Sequence, residues 1–541
     1  MIERLPFLYP EIALFITTCI VMILGLSRNV AVRRATAVVA GLGVAAAGII
    51  AVWKTPPNDG IALTREQGQI LLPFMVPYAK ALIAGVGLLL LMLLAGTVDR
   101  AEEAAIRAGK RAFDPLRSNR AEFYAFYLFS LTGLMLCAGA DDLIWLFLAL
   151  ELTSLPTYIM VSISTARNRS REAGVKYFFL GAMGAAVFLY GFALLYGGTG
   201  TTNLNAIADV FARDGVNNIA LAGLLVSILG LGFKVAAVPM HFYTPDVYEG
   251  AAPQVSAFLA FVPKTAGFIG ILLLCATVGW NHGPDPSSNH HLPDVVRLTL
   301  WVMAALTMTV GNVLAILQNS VKRILAYSSI AHTGYMLVGV IAGPGDGRFS
   351  QNGIAAVLFY LFAYGLMNLG CFAVLAALER RALGGTGLPT GDSEPREIDN
   401  IADLRGLCAS RPVLGWTMVI CSLSLLGFPP LLGFFSKLPL FTSAISAGEI
   451  PLVIVLGINS AIAAFYYLRL AFTPFLENAD ASVEPAHESP FATRKFAGLL
   501  AAIAVVVLGV AGYKLMDPVM QHTEQAGAYK AQLPATTANA E

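Results

Sequence analysis

The sequence is poor in charge, and neither sign is in excess. Charged residues make up 13% of its 541 residues, which is about half the share usual in a soluble globular protein. The 35 Lys and Arg residues nearly balance the 34 Asp and Glu residues. A chain that binds nucleic acid generally carries a strongly basic patch or an overall basic charge. We therefore expect no nucleic-acid partner.

The sequence also lacks the spacing patterns of a cofactor site. Its six cysteines form no C-x-x-C pair, and five of them lie in apolar runs, where cysteine behaves as a small hydrophobic residue. No G-x-G-x-x-G follows a predicted strand, and no P-loop lysine is present. His282, His290 and His291 lie in a segment rich in Pro, Asp and Ser, which we interpret as a solvated loop. We expect no cofactor and no metal on this chain.

Long apolar runs are what the sequence has in abundance. Hydrophobic residues make up 57% of the chain, and they fall into fourteen blocks, each long enough for a helix to cross the hydrocarbon core of a bilayer. The first block lacks a small-residue cleavage site, so we interpret it as a retained span. The sequence predicts an all-α, polytopic membrane protein with about fourteen transmembrane helices. The blocks are approximately 9–26, 35–53, 74–97, 121–139, 142–163, 174–196, 217–240, 251–277, 296–317, 323–342, 352–378, 412–440, 451–474 and 495–515.

The basic residues are distributed unevenly over the loops. Most Lys and Arg residues fall in the odd-numbered loops, and few fall in the even-numbered loops and at the termini. Basic residues accumulate in cytoplasmic loops, so both termini are predicted to lie outside. Five lysines remain within or at the edges of the apolar blocks: Lys80, Lys176, Lys234, Lys264 and Lys437.

Two of the predicted spans are interrupted by proline. The seventh contains GFKVAAVP (232–239), and the twelfth contains GFPPLLGFFSKLP (427–439). These spans lie five apart, and a five-helix unit crosses the membrane an odd number of times, so two consecutive copies must be inverted. Broken helices at corresponding places in inverted halves indicate an ion path near the membrane midplane. The correspondence is one of spans, because Lys234 precedes its proline whereas Lys437 follows Pro430.

Four ionisable residues lie deep in the predicted spans, where a charge costs about 2.5–3.5 kcal/mol on insertion scales. They are Glu151, Lys234, Lys264 and Lys437. A carboxylate near a buried ammonium stabilises its charged form, so movement of Glu151 relative to Lys234 would load or release a proton. Pro239 leaves the Val235 carbonyl without a helical partner, so we expect water at the break. The pattern predicts proton transfer without redox chemistry.

Three further residues are weaker candidates. Lys176 could act in proton transfer or be a surface lysine at the end of its span. His241 and His332 could relay protons, because the pKa of histidine lies near neutrality, or they could be buried, hydrogen-bonded side chains. Lys80 lies outside the two repeats, and we interpret it as structural.

At these residues the sequence resembles subunit N of respiratory complex I, an antiporter-like membrane subunit. The resemblance is densest in ELTSLPTYIMVS (151–162), LGFKVAAVPMHFYTPDVYEGAAPQVSAFLAFVPKTAGF (231–268), VKRILAYSSIAHTGYMLVG (321–339) and GFPPLLGFFSKLPLF (427–441). Lys437 argues against subunit M, which has a glutamate there, and the short C-terminal part argues against subunit L. The resemblance implies inverted repeats formed by spans 4–8 and 9–13. The expected segments are 1–110, 111–277 (first repeat), 278–475 (second repeat) and 476–541.

The resemblance also implies roles and partners. Glu151 and Lys234 would form the charge pair, Lys264 the central relay and Lys437 the distal group, with Lys176 and His332 at accessory positions. Quinone, NADH, FMN and iron-sulfur clusters would bind to other subunits of the NADH-quinone oxidoreductase. M-like and K-like subunits would be neighbours in a bacterial inner membrane. The alternative is a subunit of a multi-subunit cation/proton antiporter. A scaffold that has lost transport is disfavoured because all four buried ionisable residues are present.

Overall fold

The apolar runs fold as helices, because a backbone in hydrocarbon must satisfy its own hydrogen bonds. The computed structural model describes residues 6–53, 76–115, 118–165, 167–280, 292–345, 351–380, 396–478 and 486–515. The helices are α1 (Tyr9–Gly25), α2 (Val30–Trp53), α3 (Val76–Leu94), α4 (Arg100–Arg107), α5 (Arg120–Ala138), α6 (Leu143–Ile163), α7 (Asn168–Thr199), α8 (Leu204–Asp214), α9 (Asn218–Val235), α10 (Thr244–Gly250), α11 (Pro253–Val278), α12 (Asp294–Ile316), α13 (Val321–Ala342), α14 (Gly353–Ala377), α15 (Leu407–Ser410), α16 (Pro412–Leu426), α17 (Leu432–Ser446), α18 (Ile450–Leu476) and α19 (Ala492–Leu515).

The number of membrane-crossing segments agrees with the sequence prediction. Within the described residues, 12 helices are long and apolar enough to span a membrane, and two shorter apolar helices, Ala79–Leu94 and Pro412–Leu426, complete the set. The second of these, α16, is continued by α17 after a break. The predicted all-α polytopic fold with about fourteen spans is confirmed. The division into four segments stays a prediction.

Both predicted breaks are present, and in each the helix ends before the proline. Helix α9 ends at Val235, and Ala236 adopts a left-handed conformation with φ 58°. Helix α16 ends at Leu426, and Gly427 takes the same role with φ 93°. A left-handed residue after the last helical turn is a common helix terminator. The chain therefore turns out of each helix instead of bending within it.

The elements that do not cross the membrane gather largely at one end of the bundle. We call this the basic end; it carries the loops that follow α1, α3, α6 and α12. A three-stranded sheet lies there, with strand order β2-β1-β3, formed by β1 (Leu378–Arg380), β2 (Arg396–Glu397) and β3 (His487–Glu488). Both pairings are antiparallel. The polar sequence of 380–411, with Gly, Pro and mixed charge, predicts a loop with at most one short amphipathic helix. Its described part contains β2, a short 3-10 helix (Ile401–Leu404) and α15.

Three segments of the sequence lie outside the described residues: the histidine-containing segment 281–291, the part 381–395 of the polar segment 380–411, and the C-terminal segment 516–541.

Helices α11 and α13 form the centre of the bundle. Both are buried along nearly their whole length. Helix α11 packs against α5, α6 and α9 of the first predicted repeat and against α13 and α14 of the second. Lys264 lies near the middle of α11, and His332 lies near the middle of α13. These two residues are therefore enclosed by protein and not by lipid.

Arg494 joins several elements at the basic end. Its side chain is 2% exposed, and its guanidinium donates hydrogen bonds to the carbonyls of Ala95, Gly96 and Ala376. It also pairs with Glu379 at 3.1 Å, and Arg100 holds the same carboxylate at 2.6 Å. One side chain thus connects α19, the end of α3 and the α14–β1 junction.

We expect Arg494→Met to destabilise the chain by about 3 kcal/mol, because removing one partner leaves buried polar groups unpaired. The readouts are the amount of assembled protein in the membrane and its thermal unfolding in detergent. Lys495→Met is the matched control, since Lys495 pairs only at the surface with Glu488 and exposed pairs contribute about 0–1 kcal/mol. Equal stability of the two variants would contradict this role of Arg494.

Candidate proton-transfer site

Glu151 and Lys234 form a direct ion pair between α6 and α9. The Lys234 Nζ lies 2.9 Å from Glu151 Oε1, and it also donates to Ser154 Oγ at 2.5 Å and to the Leu150 carbonyl at 3.4 Å. The Lys234 side chain is buried, whereas the Glu151 side chain keeps 16% exposure on the face of α6 that carries the exposed Leu148 and Leu155. A proton on Lys234 therefore has a carboxylate acceptor within one hydrogen bond.

The end of α9 beside Lys234 is closed by hydroxyl groups of neighbouring elements. Thr333 Oγ1 of α13 donates to the Val235 carbonyl at 2.5 Å, and Tyr243 donates to the Phe233 carbonyl at 2.8 Å. The Val238 N–H donates to Thr307 Oγ1 of α12 at 2.9 Å. The Val235 carbonyl is thus bound by a side chain of another helix, and water at the break stays a prediction. Pro239 itself is exposed on the surface of the chain.

Lys264 of α11 binds one residue of α13. Its Nζ donates to the Ser329 carbonyl at 2.5 Å and to Ser329 Oγ at 2.6 Å, and it lies 5.0 Å from the centre of the Tyr364 ring. Thr333 Oγ1 lies 3.2 Å from the same Ser329 carbonyl. Thr333 is thus in hydrogen-bonding distance of both the helix end beside Lys234 and the group that holds Lys264.

His332 lies between Lys264 and Lys437. The centre of the His332 ring lies 5.0 Å from the centre of the Tyr364 ring, which Lys264 contacts, and 5.4 Å from the centre of the Tyr335 ring. Both ring nitrogens are engaged, Nδ1 with the Tyr360 hydroxyl and Nε2 with the Tyr467 hydroxyl, each at 2.6 Å. A neutral imidazole with two hydroxyl partners can pass a proton by exchanging its tautomer.

Lys437 occupies the second helix break. Its Nζ donates to the Leu426 carbonyl, the last of α16, at 2.8 Å, and it lies 5.1 Å from the centre of the Tyr335 ring. A helix C-terminus carries unpaired carbonyls and partial negative charge. The break therefore provides a favourable place for a buried ammonium group without a carboxylate.

The remaining two candidates lie away from these contacts. Lys176 has a side chain that is 45% exposed, and it pairs with Glu172 at 2.9 Å and Asp246 at 3.1 Å at the basic end. His241 lies in the turn between α9 and α10, and its Nδ1 has no hydrogen-bond partner among the described residues. The structure brings Glu151, Lys234, Lys264, His332 and Lys437 together and leaves Lys176 and His241 at the side.

The sequence interpretation did not single out the neutral side chains of the site. Ser154 and Ser329 bind the ammonium groups of Lys234 and Lys264, and Thr333 binds the carbonyls of Val235 and Ser329. Serine and threonine are frequent in membrane helices, so their presence alone did not indicate these contacts. A signal was present in YSSIAHTGY (327–335), where polar residues recur at helical spacing in an otherwise apolar span. This spacing places Ser329, His332 and Thr333 on one face of α13.

The fold and the match to a family define the class of this protein. The model of the NADH:quinone oxidoreductase/Mrp antiporter transmembrane family matches residues 140–463. Among solved structures, the chain is similar to a chain of respiratory complex I from Thermus thermophilus with bound aureothin, at 29% identity and a TM-score of 0.70, covering 94% of this chain and 98% of that one. These matches indicate an antiporter-like membrane subunit.

Fold alone does not separate the members of this class. A chain of the archaeal membrane-bound sulfane sulfur reductase gives a TM-score of 0.74 at 21% identity, covering 97% of each chain. A chain of the Mrp complex from Dietzia gives 0.72 at 19% identity, covering 98% of each. At such identities the likeness concerns the fold only.

Sequence identity to curated relatives distinguishes among the members of this class that share the fold. NADH-quinone oxidoreductase subunit N from Myxococcus xanthus is 40% identical over 432 residues, covering 76% of this chain and 78% of the relative. Subunit N from Salinibacter ruber is 35% identical over 484 residues, covering 87% of each. The chain belongs to the NADH-quinone oxidoreductase subunit N family, the proton-translocating antiporter-like membrane subunits of complex I.

Proposed function

We propose that protons move through this chain along Glu151, Lys234, Lys264, His332 and Lys437. Glu151 exchanges a proton with Lys234, and Lys264 and Lys437 are the next ammonium groups along the bundle. The proposal rests on the contacts that connect these residues to one another. Thr333 and Ser329 link the first break to Lys264, and the rings of Tyr364, His332 and Tyr335 link Lys264 to Lys437.

The chain performs no redox step in this proposal. Quinone, NADH, FMN and iron-sulfur clusters bind to other subunits of the complex, and quinone reduction there drives proton transfer here. M-like and K-like subunits are the neighbours. The partly exposed Glu151 carboxylate supports a protein neighbour at this surface, because a charged group facing lipid is costly. The complex lies in a bacterial inner membrane, and both termini of this chain lie outside.

The decisive experiment is purification of the complex through a tag on this chain, followed by reconstitution in liposomes. Proton uptake driven by an electron donor and a quinone is expected. The alternative, a subunit of a cation/proton antiporter, has the same fold and predicts cation gradients that exchange for protons without any electron donor. Exchange of that kind, with no quinone reductase in the preparation, would overturn the proposal.

Thr333 gives a prediction on the connection between Lys234 and Lys264. Thr333→Val keeps the shape of the side chain but removes the hydroxyl that binds Val235 and Ser329. We expect the number of protons pumped per quinone reduced to fall by about two- to tenfold, because a proton-transfer path depends on each positioned group. Thr333→Ser restores the hydroxyl and is expected to restore pumping. Equal pumping by the valine and serine variants would show that the hydroxyl is dispensable.

A further inference from the structure

Outside the two predicted repeats, α1 and α3 share a buried ion pair. The Lys80 Nζ lies 2.6 Å from Glu11 Oε1, with side-chain exposures of 4% and 5%, and it also donates to the Phe7 carbonyl at 2.8 Å. Apart from this ion pair, neither carboxylate oxygen of Glu11 has a hydrogen-bond partner among the described residues. The construction resembles that of Glu151 and Lys234: one ammonium between a carboxylate and a backbone carbonyl.

Packing alone does not explain this pair. A buried ion pair is usually no more stabilising than apolar residues of similar volume, and an ionisable residue within a membrane bundle indicates function. The Arg33–Glu103 ion pair, in the same N-terminal segment, serves as a comparison. It is equally buried, and its nitrogen–oxygen distance is 3.0 Å. Arg33 also binds the carbonyls of Ser27 and Arg28, and its guanidinium cannot give up a proton under physiological conditions. Lysine and glutamate can both exchange protons.

The pair lies next to the helix that borders Glu151 and Lys234. A Cβ atom placed on Gly139, at the end of α5, would lie 4.0 Å from the Lys80 Nζ. Earlier in α5, Ser130 Oγ donates at 2.6 Å to the carbonyl of Thr153, which lies two residues after Glu151. Helix α5 therefore contacts the surroundings of both ion pairs. The Glu11–Lys80 pair is the nearer of the two to the end of the bundle at which α1 begins.

We propose that Glu11 and Lys80 form an additional proton-exchanging pair that releases protons at the end of the bundle opposite the basic end. The proposal rests on the function proposed above. In the internal step one N–H bond of Lys80 breaks and one O–H bond of Glu11 forms, giving a neutral amine and a neutral acid. Glu11 then gives its proton to a water molecule outside the pair, and the amine of Lys80 takes a proton from a water molecule on the side of α5. The carboxylate and the ammonium group are thereby restored, and one proton has moved through the pair.

The test uses the whole complex in liposomes, with protons translocated per electron as the readout. Glu11→Gln keeps an oxygen acceptor for Lys80 but cannot carry a proton. It is expected to lower the ratio by about twofold or more and to flatten its pH dependence, with normal amounts of complex. Glu11→Leu/Lys80→Met removes both charges together and is expected to have the same effect. The control is Arg33→Met/Glu103→Leu, which is expected to leave the ratio of the assembled complex unchanged.

Each outcome decides the matter. An unchanged ratio in assembled Glu11→Gln or Glu11→Leu/Lys80→Met complex would overturn the proposal, and so would loss of the complex in both variants, which would assign the pair to folding. Lys234→Met in the same assay separates this proposal from the one on which it rests. If Lys234→Met lowers the ratio and the Glu11 variants do not, only the additional pair is disproved; normal pumping by Lys234→Met would disprove the proposed path itself.

Discussion

Lys234→Arg is expected to stop most of the proton translocation that passes through this chain while leaving the complex assembled. Arginine keeps the positive charge that pairs with Glu151, so the Glu151 carboxylate keeps an ion-pair partner. Its guanidinium does not deprotonate in proteins, so the pair can no longer exchange a proton. Loss of a positioned acid–base group slows a proton-transfer step by about 10²-fold or more. That step then becomes slower than quinone reduction.

The measurement is proton uptake into liposomes together with the rate of quinone reduction. Glu151→Gln/Lys234→Met is the neutral counterpart, because it removes both charges at once and avoids an unpaired buried ion, which costs about 3–5 kcal/mol. Both variants are expected to assemble and to lose pumping. Normal proton-to-electron ratios in both, with wild-type amounts of complex, would eliminate the charge pair as part of the path.

Lys264→Met is expected to have an equally large effect on pumping and little effect on assembly. Lys264 is buried in the central helix and binds only Ser329 and the face of Tyr364 among the contacts described. Methionine fills a similar volume and removes the cost of a buried charge, so the folded chain gains or keeps stability. The proton path loses its central group, and pumping falls by about 10²-fold at that step.

Lys176→Met supplies the contrast in the same assay. Lys176 is largely solvated and its ion pairs lie at the surface, where such pairs contribute about 0–1 kcal/mol. We expect normal pumping and normal amounts of complex. If Lys264→Met pumps normally, the central relay is disproved. If Lys176→Met loses pumping as well, the surface network at the basic end belongs to the path.

The two helix breaks show which features of the proton-transfer site can be predicted from the sequence. Proline in the seventh and twelfth apolar blocks located both breaks, because a residue without an N–H cannot continue a helix. The left-handed residues at the two helix ends, Ala236 and Gly427, are seen only in the structure. The sequence did not predict which groups bind the backbone carbonyls at the two helix ends. Leu426 is capped by Lys437, and Val235 is capped by Thr333 from a helix that begins 86 residues later in the chain. A cap of that kind depends on which helices pack together.

The Glu11–Lys80 pair shows the same limit. Lys80 stood out because it is a charged residue in an apolar block. Glu11 did not, because an acidic residue in the first turn of a helix is ordinary. Only the packing of α1 against α3 joins them.

By itself, the sequence determined the membrane location, the number of spans, the position of the breaks and the identity of the buried charged residues. Each of these follows from local properties: the length of an apolar run, the backbone limits of proline and glycine, and the cost of a charge in hydrocarbon. The tertiary structure decided which neutral groups hold those charges and in what order they connect. Ser329, Thr333, Tyr364 and Tyr335 acquire their roles only when α11, α13 and α14 pack together. Hydrogen bonds and ring contacts require distances of a few ångströms, and only the packing of distant segments sets those distances.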